Sequence, residues 1–186
     1  MRIGHGYDVH KLVEGRDLIL PIMELCHSFD KVQAVVAGGS SRQESVKLGL
    51  NTLSSKVKLA AVQDGARPLI TWQVIDRAVR AAHSFGAAAP AIPVKDTIKE
   101  AAGGVVKKPP DRATLFAVQT PQVFDFDLLR AAMKKVEQDG VQVTDDCSAV
   151  EYLGMTVKLV EGDERNLKVT TPLDLKIAEM LLEEEK

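Results

Sequence analysis

The sequence predicts a three-layer α/β fold, a central sheet covered by helices on both faces, with one projecting β-hairpin arm. Two observations carry this. Apolar, β-branched stretches alternate with amphipathic helical stretches along most of the chain, the pattern of a doubly wound sheet. A polar excursion at 95–114, with Gly-Gly near its middle, interrupts the alternation. The length of 186 residues suits one domain with a substantial core.

Taken in order, "KVQAVVAGG" (31–39) predicts a strand closed by Gly-Gly. "SVKLGLNTL" (45–53) sets Val46, Leu50 and Leu53 on one helical face. "VKLAAV" (57–62) predicts a short buried strand, and "TWQVIDRAVRAAHSFG" (71–86) a helix. In that helix Thr71 is the N-cap, Val74, Ile75, Ala78, Val79 and Ala82 form the apolar stripe, and Gly86 ends it. "AAAPAIPV" (87–94) reads as a buried strand interrupted by Pro90 and Pro93. Residues 95–114 predict a hairpin turning at Gly103-Gly104.

"LFAVQTPQVF" resumes extended structure, and "DFDLLRAAMKKVEQDG" predicts a helix with Leu128, Leu129, Ala132, Met133 and Val136 inward. "MTVKLVEGD" and "NLKVTT" predict strands. "TPLDLKIAEMLLEEEK" predicts a terminal helix with Thr171 as N-cap and Pro172 at its first position. Residues 1–30 stand apart as an atypical N-terminal segment, leaving 31–186 as the α/β domain.

Composition narrows the function. The net charge of −2 offers no basic field for nucleic acid or an anionic membrane. Aromatic residues make up 4%, too few for a base-stacking surface. No apolar run approaches the ~20 residues of a membrane span, and "MRIGHGYDVH" is not built as a signal peptide. Two cysteines, Cys26 and Cys147, make neither a disulfide framework nor a metal spacing. A cytoplasmic location is the expectation.

The chemistry-bearing residues recur at strand ends, where open α/β sheets bind ligands. "GGSSRQES" (38–45) pairs permissive glycines with a helix N-terminus, able to receive an anion or a sugar or simply to form a capped turn. In "DGARP" (64–68), Asp64 is an oxygen ligand suited to Mg²⁺ and Arg67 a bidentate phosphate partner, or the two close an ordinary turn. "VKDTIK", "QTPQ", "VTDDCSAVE" and "NLKVTT" place Lys, Thr and Asp at further strand ends. Each is weak alone; their recurrence at one sheet edge is the signal.

Together and in order, "AGGSSRQESVKLGL", "QDGARPLI", "PVKDTIK", "FAVQTPQVF", "VTDDCSAVEYLG" and "VKLVEGDERNLKVTTPLDLKIAE" resemble the 2-C-methyl-D-erythritol 4-phosphate cytidylyltransferases over residues 31–184. The resemblance implies a Rossmann-like nucleotidyltransferase sheet and a CTP-dependent, Mg²⁺-assisted transfer in non-mevalonate isoprenoid synthesis. By position it puts Gly39, Ser40, Arg42 and Ser45 on the cytidine side. Asp64 matches the metal-associated acid, with Gly65 and Arg67 beside it. Thr97, Arg112, Thr120, Thr144 and Lys168 match the sugar-phosphate side, and Lys168, Asp64 and Arg67 form the catalytic set. It also implies a homodimer, in which the 95–114 arm embraces the second subunit.

The family's N-terminal glycine-rich triphosphate loop has no counterpart before residue 31. An N-terminally incomplete sheet and an impaired turnover are the expectations that follow. "MRIGHGYDVHKLVEGRDLIL" instead resembles the start of 2-C-methyl-D-erythritol 2,4-cyclodiphosphate synthase. That resemblance makes Asp8 and His10, two apart on one strand face, candidate metal ligands, with His27 of "LCHSFD" as a faint third. Two other readings therefore stand beside the transferase: a metal-binding fragment of the synthase type, and a catalytically dead dimeric α/β scaffold.

Overall fold

The structure is a computed structural model that describes the backbone of residues 4–6, Cys26 and residues 28–184. In chain order its elements are β1 (Gly4–Gly6), α1 (Arg42–Asn51), β2 (Leu59–Asp64), α2 (Trp72–Phe85), β3 (Ala87–Pro93), β4 (Ala101–Ala102), β5 (Val105–Val106), β6 (Phe116–Val118), β7 (Gln122–Asp125), α3 (Phe126–Gln138), α4 (Asp146–Tyr152), β8 (Lys158–Glu161) and α5 (Pro172–Glu183).

The central sheet is mixed. β1 runs parallel to β2, β2 antiparallel to β7, and β7 antiparallel to β3. β8 runs parallel to β3 over Ala88–Ala91, overlapping the pairs that β3 makes with β7 and with β6. β8 therefore takes one edge of β3, while β6 and β7 share the other in succession. The register slips between them. From Ala88↔Val123 to Ala91↔Val118, β3 spends Ala89 and Pro90 where the facing chain spends residues 119–122. Gln119 N still donates to Pro90 O at 2.7 Å, and the Thr120-Pro121 peptide is cis. Such a bulge re-aims side chains toward one end of a sheet.

Period-2 alternation splits the core into the two faces of this sheet. Ala60, Val62, Ala87, Ala89 and Phe124 pack with Leu129, Ala132, Met133 and Val136 of α3, Leu50 of α1 and Val150 of α4. Ala61, Ala88 and Val123 point the other way, against Ala78 and Ala82 of α2. Ala87, Ala88 and Ala89 of β3 are wholly buried, and their small side chains let helices approach closely from both sides.

Most helices follow their sequence signals. Gly86 ends α2 in the left-handed region at φ 83°, although Thr71 makes no side-chain capping bond there. Thr171 and Asp174 form a reciprocal capping box around the Pro-led start of α5. The 95–114 excursion is a hairpin: β4 and β5 form a separate two-stranded sheet, turning on Gly103 and Gly104 at φ 56° and 78°.

The structure corrects four expectations. Residues 31–39 are irregular and mostly exposed, because the outer edge of β2 is paired with β1 and offers them no partner. α1 begins at Arg42, ahead of the expected 45, because Ser41 caps it by accepting from Glu44 N. "NLKVTT" is a loop, since β8 holds the free edge of β3. Residues 146–152, read only as a strand end, form α4, whose N-cap Asp145 accepts from Ser148 N. Among the described residues no helix is long and apolar enough to cross a membrane.

Candidate active site

Strand β2 ends at Asp64, and the chain turns at once: Arg67 N donates to Asp64 O at 3.1 Å across Gly65 and Ala66. Gly65 thus serves the turn that brings Arg67 back over the strand end. The Asp64 carboxylate is nearly buried, its side chain 8% exposed, and three cations surround it. Lys168 Nζ lies 3.3 Å from Oδ2, Arg67 Nε 3.4 Å from Oδ2, and Arg42 Nη2 4.0 Å from Oδ1. Thr120, aimed inward by the bulge, accepts from Asp64 N through Oγ1 at 3.0 Å. Side chains far apart in sequence, at the ends of β2, α1, the 119–121 bulge and the loop before α5, therefore meet at one carboxylate.

Arg42 is held from behind. Its Nη2 donates to Asp146 Oδ2 at 2.6 Å, and Asp146 is wholly buried at the start of α4. Burial pushes the Asp146 carboxyl above its ordinary range, while the Arg42 hydrogen bond and charge oppose that rise. For Arg42, burial works downward, but the bond and charge of Asp146 carry its pKa upward overall. Burial lowers Arg67, and Asp64 opposes that shift. Gln122 of β7 anchors α4 from the sheet: its Oε1 accepts from Asp146 N and Cys147 N, and its Nε2 donates to Asp145 Oδ2.

The loop before α1 folds onto the helix it precedes. Gly39 N donates to Ser45 Oγ at 3.0 Å, and Ser40 donates from both N and Oγ to Glu44 Oε2 at 2.7 Å. A Cβ on Gly39 would sit 2.3 Å from Glu44 Cγ, so glycine permits this close approach. Those bonds hold the Glu44 carboxyl below its usual value, with Ser40 as the main cause.

Of the residues expected from sequence, Asp64, Arg67, Lys168, Arg42 and Thr120 come together around the carboxylate. Gly39, Ser40 and Ser45 form the adjoining loop. Thr144 is exposed beside a cleft of about 330 Å³ that Asp145, Ser148 and Val118 also line. Thr97 and Arg112 lie in the arm; Arg112 Nη1 donates to Lys95 O at 3.2 Å. Asp8, His10 and His27 lie outside the described residues. Among the described residues, no three His, Cys, Asp or Glu side chains converge as a metal cage.

Asp64 thus offers one carboxylate at this strand end, with Asp146 committed to Arg42 behind it. That donor set fits Mg²⁺, which is commonly held by one or two carboxylates with substrate phosphates completing the shell. It does not fit a metal that needs an all-protein cage. Sequence reasoning missed Asp146, Gln122, Gln119 and Asn166. For Asp146 a signal was present, because only one residue of Asp145-Asp146 can be the N-cap. The three amides carried none.

Comparison with known proteins agrees with this geometry. Residues 12–184 match the family model described as IspD: 2-C-methyl-D-erythritol 4-phosphate cytidylyltransferase, a match that begins well before residue 31. The chain is 46% identical over 155 residues to the 2-C-methyl-D-erythritol 4-phosphate cytidylyltransferase of Desulforamulus reducens, covering 83% of this chain and 66% of that protein. The chain thus spans just under two thirds of the length of that relative. The crystal structure of 2-C-methyl-D-erythritol 4-phosphate cytidylyltransferase from Thermus thermophilus superposes with a TM-score of 0.76 at 36% identity, covering 83% of this chain and 75% of that one. The 4-diphosphocytidyl-2C-methyl-D-erythritol synthase of Anaerococcus prevotii superposes with a TM-score of 0.82 at 30% identity, over 88% and 76%. The family match takes in residues 12–20 of the stretch that resembles the cyclodiphosphate synthase, and these matches do not show that second resemblance.

Proposed function

Because the chain belongs to the 2-C-methyl-D-erythritol 4-phosphate cytidylyltransferase family, we propose that it transfers the cytidylyl group of CTP to 2-C-methyl-D-erythritol 4-phosphate. The observation that carries this reading is the ring of Arg42, Arg67 and Lys168 around Asp64 at the carboxyl end of β2. Arg67 and Lys168 converge on one strand end beside the Arg42–Asp146 pair, an arrangement that suits a polyanionic substrate.

In the proposed reaction a phosphate oxygen of the sugar phosphate attacks the α-phosphorus of CTP. The new P–O bond forms as the bond to the β-phosphate breaks, and pyrophosphate leaves with the electron pair. Lys168 and Arg67 are positioned to turn from Asp64 to the phosphate oxygens, where negative charge is concentrated. Preorganised charge of this kind is the main contribution that protein groups make to phosphoryl-type transfer. Asp64 would hold Mg²⁺, which supplies further neutralisation of the phosphate charge when bound. The 38–45 loop adjoins this cluster and is the place for the cytidine.

The same reading makes the protein a homodimer through the 95–114 arm. Ile98, Val105 and Val106 stand exposed on the hairpin, which among the described residues forms a two-stranded sheet of its own. Thr97 and Arg112 would then act toward the site of the second subunit. Pyrophosphate release with CTP, the sugar phosphate and Mg²⁺ tests the reading. Transfer that depends on both substrates and is lost in Lys168→Ala supports it. Purified, folded protein that releases no pyrophosphate and binds neither substrate by calorimetry overturns it.

A further inference from the structure

Lys168 lies in a loop, residues 162–171, with no regular structure, and the loop is fixed from within by two buried amides. Asn166 is wholly buried. Its Nδ2 donates to Thr120 O at 2.9 Å and to Gln119 Oε1 at 3.3 Å. Its backbone carbonyl accepts from Arg67 Nη1 at 2.7 Å, while its side-chain oxygen is buried with no hydrogen-bond partner among the described residues. Gln119, also buried, donates to Asp163 O at 2.8 Å and accepts from Asp163 N at 3.2 Å. Above the pair, Val169 N donates to Ala66 O at 2.8 Å, tying the loop to the Asp64–Arg67 turn. Gly162 leaves the pair its room, since a Cβ there would sit 2.6 Å from Gln119 Oε1.

A buried amide pair is ordinarily a stabilising feature and nothing more. Here its partners single it out. Asn166 touches Arg67 directly, Gln119 precedes the Thr120 that receives Asp64 N, and both residues pin the loop two positions before Lys168. One uncharged hub therefore joins three segments: the turn that carries Asp64 and Arg67, the bulge that carries Thr120, and the loop that carries Lys168.

We propose that Asn166, with Gln119 as its partner, is a positioning residue for the transfer reaction, setting Lys168 and Arg67 against Asp64. The inference rests on the cytidylyltransferase reading. A displacement of about 1 Å in such a group costs on the order of 10²-fold in rate, so a residue acting through Lys168 should affect turnover more than substrate affinity.

The test uses the full chain, with Asn166→Ala and Gln119→Ala made in the unmutated and Lys168→Ala backgrounds. Expected for Asn166→Ala is a kcat lower by about 10- to 100-fold, with KM for CTP changed by less than about 3-fold. In the Lys168→Ala background the same substitution should cost clearly less than it does alone, because one of its two routes is already cut. Backbone hydrogen exchange should rise at Arg67 and Val169 while α3 stays protected. If Asn166→Ala does not fold, Gln119→Ala carries the same expectations. Three results would overturn the inference: an unchanged kcat, losses that multiply fully in the double variant, or exchange that rises evenly across the domain. If the unmutated chain transfers no cytidylyl group, the function reading is what fails. The exchange pattern alone then decides whether this hub holds the three segments together.

Discussion

Arg42 and Asp146, 104 positions apart in sequence, meet in a 2.6 Å charge pair that joins the start of α1 to the start of α4. The two ends are unequal: the Arg42 side chain keeps 24% of its exposure, and the Asp146 side chain keeps none. Removing the cation strands a buried carboxylate, whereas removing the carboxylate leaves a cation that still reaches water and Asp64. Arg42→Ala should therefore cost about 3–5 kcal/mol at neutral pH, the range for breaking a buried pair, and Asp146→Ala less. Because burial already raises the Asp146 carboxyl, loss of Arg42 raises it further. A folded-state pKa above the unfolded value means the folded protein binds the proton more tightly. The penalty in Arg42→Ala is then full above the raised folded pKa and shrinks as pH falls toward the unfolded value. Urea unfolding at pH 8 and pH 5.5 should show the gap to the unmutated protein narrowing in acid; a gap that widens would refute the assignment.

Lys168 and Arg67 should dominate turnover, because each places a full charge beside the carboxylate where the phosphates are proposed to bind. Lys168→Ala and Arg67→Ala should each lower kcat by about 10²–10³, or roughly 2.7–4 kcal/mol of transition-state stabilisation. Lys135, on the exposed far end of α3 and paired with Asp139, is the control: Lys135→Ala should leave the rate within about 2-fold. Initial rates of pyrophosphate release settle the comparison, and equal losses at Lys135 and Lys168 would count against the site.

The hairpin turns on two glycines of positive φ, and its Val105 and Val106 are exposed. If the proposed dimer forms through this arm, Val105→Asp with Val106→Asp should convert it into a monomer while leaving the fold intact. Light scattering reads the mass directly and circular dichroism the fold. An unchanged dimer would place the interface elsewhere.

At the start of α5, Asp174 accepts from Thr170 N, Thr171 N and Thr170 Oγ1. The backbone bond from Thr170 is the chief reason its carboxyl falls below the ordinary value. Its contribution is present above the unfolded pKa and is lost as pH falls through the lowered folded one. Helix α5 should accordingly fray in acid before the core opens. Thr171→Ala should cost about 1 kcal/mol and shift that fraying toward neutral pH. Hydrogen exchange along α5 at pH 5 and pH 3 checks both, and protection that is the same at the two values would refute the capping role.

Local chemistry legible in the sequence settled most of the architecture. Apolar stripes at helical spacing located α2 and α3, Gly86 and Thr171 marked helix ends, and Gly103-Gly104 marked the arm's turn. Asp64, Arg67 and Lys168 were readable because charged residues at strand ends stand out from the apolar runs before them. Tertiary structure decided the rest, because the same local sequence behaves differently according to what lies beside it. "KVQAVVAGG" has strand chemistry but is irregular, since a strand needs an edge and β1 holds the one on β2. "NLKVTT" is likewise a loop, because β8 occupies β3. Gln119 and Asn166 carry no charge and no periodic signal, and 47 positions separate them. Only the register slip between β6 and β7 turns Gln119 inward to meet Asn166 and join the segments that carry Asp64, Arg67 and Lys168.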